Sequence, residues 1–334
     1  MKETATSSFP NEANTGRKKL PRFQTFIPVY WKPILLLLVL TPILTELLTN
    51  NIPVTKIFQP KLFFMLAVLV YGPVLLLREL AVRWNLNLAG YIILGLMYGI
   101  YNEGLLGKTI FKLTITNTAF QNYGIVWGIN LSWAEVIIVF HAFYAFLFPV
   151  LLIYNFFPKA ATSSWINKKW WLAISAAFFL YVSYTFLKNA WPAKPMHYVL
   201  LVAVMTALLF LSAFFKGGLL TKDKKKHLWL LSFYGVIFVA ATFTLSDIIA
   251  RSRVHILFFT VYALINLLIA VKMLNHKYSI RSLLYFIFAA QLGFAIAAII
   301  VAISMKAEKK IITSSLFAAV FASALFLTIW KKKN

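Results

Sequence analysis

Residues 88–107, LAGYIILGLMYGIYNEGLLG, are apolar enough to cross a membrane, and Glu103 is the one charge among them. Gly95, Gly99 and Glu103 recur at intervals of four, which places all three on one helix face. A Gly-x-x-x-Gly pair lets a second helix backbone approach closely. A carboxylate on that face points into a helix bundle and not toward lipid, where it would cost about 3 kcal/mol on insertion scales. This stretch sets the fold class and supplies the first functional lead.

Similar runs recur along the chain. Its 334 residues are 61% hydrophobic, well above the roughly 45–50% of soluble domains, and mean hydropathy is +0.79. The runs lack the polar faces that a large soluble helical protein would need. The fold class is therefore all-α, a polytopic transmembrane helix bundle. Ten spans are expected, at about 33–50, 61–82, 88–106, 132–157, 170–187, 196–215, 228–250, 254–274, 282–304 and 312–330. They form one transmembrane domain, 33–330. Before it, residues 1–32 read as a disordered, basic cytoplasmic tail with no short apolar core near its start, so the first helix is expected to be retained. After it, 331–334 form a basic anchor.

The charge balance is strongly basic, 33 Lys+Arg against 9 Asp+Glu. The basic residues lie between the apolar runs, where topology signals and lipid headgroups place them, which argues against nucleic acid as a partner. With the N-terminus inside, the inner segments hold 22 of the 33 and the outer loops 11. That two-to-one bias predicts N-in, C-in and an even number of spans, in a multi-pass protein of the cell (cytoplasmic) membrane. Trp and Tyr at several span ends, among them Trp31, Trp84, Trp127, Trp170 and Trp229, match an aromatic belt. Cysteine is absent, which removes disulfides, thiol nucleophiles and Cys-based metal sites.

One connection is long. The segment 107–131 is expected to face outward as a lid, a re-entrant segment or a short strand pair. The halves of the chain also differ. Glu46, Glu79, Glu103, Glu135 and His141 all fall in the first four spans, whereas the last three are mostly Ala, Ile, Leu, Val and Phe. Chemistry or transport is expected in the first half and scaffold in the second.

Each intramembrane acid can be weighed. Asp247 and Arg251 are an i,i+4 pair at a span end, and Glu46, near an outer end, can snorkel to the headgroups. Arg78 and Glu79 end the second span, with Arg83 one turn on from Glu79 and the helix-breaking Gly72-Pro73 before them. Glu103 lies about fifteen residues beyond the inner turn, roughly 22 Å above it, whereas Glu79 lies about four residues before that turn, so the two should not meet in a straight hairpin. Glu103 shares its depth with His141 on the next span. The expected site is therefore Glu103 with His141 as reacting groups, joined by Asn102, Asn130 and Glu135, while Arg78 and Glu79 form a second, inner polar site. No metal set is evident, and the sequence leaves any cofactor unknown.

The elements YGPVLLLREL (71–80), GLMYGIYNEGLL (95–106) and Trp127-Gly-Ile-Asn130 with His141 resemble an uncharacterised family of bacterial polytopic membrane proteins. The resemblance covers about 71–149 and implies no established activity. In that family's acidic element the first of two glutamates is replaced here by Asn102. A Glu-Glu pair with a later His is also similar to CAAX-type intramembrane proteases. Against that pattern this chain has Asn102 for one glutamate, Lys108 off register, Ile137 in place of Phe, and no later His-x-x-x-Asn. Three functions are thus expected as alternatives: a transporter or solute-binding protein for a small solute or proton, a CAAX-protease-like hydrolase or its non-catalytic relative, and a membrane scaffold. The lipid bilayer is the common partner.

Overall fold

Apolar runs without polar faces fold as helices because a helix satisfies its own backbone hydrogen bonds where no water is present. The computed structural model describes residues 30–47, 52, 54–111, 119–188, 193–219, 228–274, 278–304, 320 and 323. The N-terminal tail before Tyr30, nearly all of the expected span 312–330, and the anchor 331–334 lie outside the described residues.

The helices follow in order. Helix α1 is Trp31–Pro42 continued by Ile43–Leu47, α2 is the short Val54–Ile57, α3 is Pro60–Arg83, and α4 is Leu88–Ile100 continued by Tyr101–Leu106. Next come α5 (Leu131–Phe156), α6 (Lys168–Lys188), α7 (Pro195–Ser212), α8 (Trp229–Arg251), α9 (Ile256–Leu274) and α10 (Ile280–Ser304). Six of them, α3 and α5 to α9, are long and apolar enough to cross a membrane by length and composition. The mostly helical, apolar chain is a membrane protein whose outer helix faces meet lipid.

Helix α5 is the hub. Apart from Glu135 and His141 it is mostly apolar, and it is buried along most of its length, as a helix at the centre of a bundle must be. Lipid tails are as apolar as leucine, so close packing and polar contacts, not water exclusion, hold helices to it. On one side Gly95 and Gly99 of α4 pack flush on its backbone. A Cβ at Gly95 would stand 2.8 Å from the Ala142 carbonyl oxygen, and one at Gly99 2.7 Å from that of Ile138. On the other side Phe143 of α5 interlocks with Phe238 of α8 and Phe286 of α10. Phe140 and Tyr144 meet Phe243 and Phe294. The apolar second half thus builds a wall behind α5.

Among the described residues five helical turns are widened into π-helix, at Ile43–Leu47, Met65–Val70, Tyr101–Leu106, His141–Leu147 and Ala240–Leu245. Such turns often mark functional positions. In α3 the wide turn ends at Tyr71, whose N–H donates to Leu66 five residues back (2.9 Å), and the helix restarts at Gly72-Pro73. This is the break that proline at 73 imposes.

The long connection between α4 and α5 holds a 3-10 turn, Thr109–Phe111, and a minimal hairpin of β1 (Ile125–Val126) and β2 (Ile129–Asn130). Trp127 and Gly128 turn the hairpin with positive φ at both (+49° and +78°), the pattern of a type I′ turn. Trp127 is 82% exposed at its tip. Its carbonyl lies 2.5 Å from Nε2 of His197, which ties the hairpin to the start of α7. Of the three forms expected for this connection, the described part contains the strand pair.

Candidate functional site

The wide turn at the end of α4 decides where its polar residues point. The N–H of Gly107 reaches back five residues to the carbonyl of Asn102 (2.7 Å). On a regular helix, neighbours are splayed by about 100°; here Asn102 and Glu103 both turn toward α5. The backbone contact at Gly95 and Gly99 brings α5 close enough to meet them, and His141 opens the wide turn of that helix.

The result is a buried polar cluster. Nε2 of His141 lies 2.6 Å from Oε1 of Glu103, and the side-chain nitrogen of Asn102 lies 3.2 Å from that same oxygen and 3.1 Å from Nε2. The hydroxyl of Thr109, in the 3-10 turn just beyond α4, donates to Oε2 of Glu103. The indole N–H of Trp133 in turn donates to Thr109 (3.2 Å). Glu103 is 8% and His141 5% exposed. The His141 ring also meets Tyr98 and Phe140 edge-on, at 5.9 and 5.4 Å between centroids. Its Nδ1 is buried and has no hydrogen-bond partner among the described residues. Just outside the cluster, Lys108 is buried under Phe186 and donates to its carbonyl (3.4 Å), and burial holds its ammonium below the ordinary lysine value.

Thus Glu103, His141 and Asn102 come together, and Thr109 and Trp133 join them. Sequence spacing offered no signal for the last two, because Thr109 lies past the helix end and Trp133 two turns before His141. The other expected members go elsewhere. Asn130 caps α5: its side-chain oxygen accepts from the Trp133 N–H (3.1 Å) and the Ser132 hydroxyl (3.0 Å), while its amide donates to Phe120 (3.0 Å). Glu135 faces Thr260 of α9, with Oε2 buried and without a hydrogen-bond partner among the described residues.

Arg78 and Glu79 form a separate centre, fully buried and paired with each other. Arg78 donates to the Tyr154 hydroxyl (2.8 Å) and to the carbonyls of Ala160 and Ser163, and it stacks 3.7 Å over the Trp165 ring. Glu79 accepts from the Trp165 N–H (2.8 Å), the Ser164 hydroxyl and Arg83 (3.4 Å). The hydrogen bonds of this pair tie the loop after α5 to α3, so its geometry is that of a clamp. Glu46 likewise has a partner inside the protein, accepting from the Tyr71 hydroxyl at 2.5 Å. Asp247 and Arg251 form their i,i+4 ion pair (2.7 Å).

A carboxylate holding one imidazole nitrogen, with the other nitrogen unengaged, can carry a proton or accept a hydrogen bond from a ligand. Among the described residues no group of three or more His, Asp or Glu side chains could hold a metal ion. No curated protein and no solved structure matches the chain. The model of an uncharacterized membrane protein family matches residues 35–331, and the chain belongs to that family.

Proposed function

We propose that the protein is a transporter or solute-binding protein of the cell membrane that uses the buried Glu103–His141 pair to take up a small solute together with a proton. One observation carries this reading: a carboxylate and an imidazole in contact 2.6 Å apart inside an apolar bundle. Ionisable groups at such depth are expensive and mark solute paths and proton relays. Asn102 tethers the pair, and the Thr109 turn roofs it. In this reading the chain has ten spans with both termini inside, and the wide turns at Tyr101–Leu106 and His141–Leu147 are the places where α4 and α5 give way.

The test is uptake into proteoliposomes of a labelled panel of amines, amino acids, polyols, sugars and organic acids, under an imposed pH gradient. Accumulation of at least one solute is expected, with loss in Glu103→Gln and His141→Gln. No accumulation above protein-free vesicles, or full uptake in both variants, sinks the proposal.

A second reading rests on Nδ1 of His141, which has no partner among the described residues. With Nε2 held by a carboxylate, that nitrogen has the posture of a general base, as a membrane-embedded hydrolase related to the CAAX-type proteases would need. It expects a peptide product that disappears in Glu103→Ala and His141→Ala.

A further inference from the structure

The polarity of the site follows from its hydrogen bonds. An indole N–H can only donate, so the bond between Trp133 and Thr109 makes the Thr109 oxygen its acceptor. The hydroxyl proton of Thr109 then points to Oε2 of Glu103. The amide of Asn102 donates to Oε1. Both oxygens of Glu103 thus accept, the arrangement of an ionised carboxylate. Two contacts of His141 Nε2 remain, Oε1 of Glu103 at 2.6 Å and the amide nitrogen of Asn102 at 3.1 Å. The shorter one, to an ionised oxygen, is the stronger bond and sets a proton on Nε2, with the Asn102 amide turned to Oε1. A neutral imidazole carries one N–H, so its lone pair resides on Nδ1. That atom is buried without a partner among the described residues, and an unmet buried acceptor is costly.

From this network we infer that the ligand-facing atom of the site is Nδ1 of His141, an acceptor, and that the site takes small N–H or O–H donors, ammonium and alkylammonium ions above all, while rejecting carboxylates and phosphates. The inference builds on the solute-binding reading above and names its substrate class. A donor satisfies the lone pair and, if cationic, gains from the Glu103 charge on the far side of the ring. An anion meets a lone pair backed by that same negative charge. A proton is the smallest such ligand. When it arrives on Nδ1 the ring becomes an imidazolium paired with Glu103, and no other bond changes.

The experiment is nitrogen NMR on protein labelled at histidine and reconstituted in liposomes. The chain has five histidines. Replacing His197, His227, His255 and His276 by Gln leaves His141 as the sole signal, and wild-type protein compared with His141→Asn provides the assignment should that variant misfold. The expected spectrum at neutral pH has Nε2 protonated and Nδ1 bare. Methylammonium chloride is expected to move the Nδ1 resonance, and sodium acetate and sodium phosphate to leave it in place. A proton on Nδ1 in the unliganded protein, no response to methylammonium, or a response to acetate or phosphate overturns the inference. None of these readouts uses a gradient or measures uptake, so a failure of transport and a failure of this assignment are distinguishable.

Discussion

The guanidinium of Arg78 lies over the indole of Trp165, 3.7 Å from carbon to ring centroid, with both side chains buried. This stacking seats the loop after α5 on α3. The planar fork serves Tyr154, Glu79, Ala160 and Ser163 at once, which a lysine ammonium cannot reproduce. Arg78→Met removes one partner of a buried ion pair, a change that costs about 3–5 kcal/mol. A large drop in thermal unfolding temperature in detergent is expected, with Arg78→Lys also destabilised. An unfolding midpoint within error of wild type for Arg78→Met would contradict the clamp.

At the other end of the bundle, Thr109 is the hinge between roof and site. Thr109→Val keeps the shape but strips the acceptor from Trp133 and one donor from Glu103. Leaving a buried donor unmet costs about 1–3 kcal/mol. The variant is expected to unfold earlier and to shift tryptophan emission, and Thr109→Ser is expected to restore both. Equal behaviour of the valine and serine variants would remove Thr109 from the network.

The site also depends on how closely α4 and α5 approach. At Gly99 an added Cβ would stand 2.7 Å from a backbone oxygen and 2.9 Å from a Cα, neither of which can swing aside. Gly99→Ala is therefore expected to cost about 1–3 kcal/mol and to pull Glu103 away from His141, so stability and uptake fall together. Gly293→Ala is the control, since its Cβ would meet neighbours at ordinary contact distances, 3.5 Å or more. If Gly99→Ala is as stable as Gly293→Ala, the helices are not packed backbone to backbone.

The sequence made the Glu103–His141 meeting legible for a physical reason. Small residues at 95 and 99 imply a flush helix contact, and depth along two adjacent apolar runs is counted in residues. The turn widening at Tyr101–Leu106 carries no such signature, so the way Asn102 and Glu103 both reach one imidazole could not be read from 100° steps. Asn130 and Glu135 show the complementary failure. Both lie near His141 in sequence, but cap geometry claims the first and the face toward α9 claims the second. Arg78 and Glu79 were visible as an intramembrane polar pair, but their partners sit some eighty residues later, in a loop whose register with α3 no local pattern encodes.

Orientation can be tested directly because the chain has no cysteine of its own. Trp127 stands at the tip of the hairpin, 82% exposed, and its side chain can be replaced without touching the carbonyl that meets His197. Thr162 is exposed in the loop seated by the Arg78 clamp, at the opposite end of α5. The lysines Lys159, Lys168 and Lys169 flank that loop, and basic residues stay on the cytoplasmic side. A membrane-impermeant maleimide is therefore expected to label Trp127→Cys in intact spheroplasts and Thr162→Cys only after permeabilisation. A cysteine placed at Asn334 is expected to behave like Thr162→Cys, because the ten spans proposed above would return the chain to the side on which it began. Labelling of Asn334→Cys in intact cells would make the number of spans odd, and reversal of the first two results would invert the bundle and put the Thr109 roof on the cytoplasmic side.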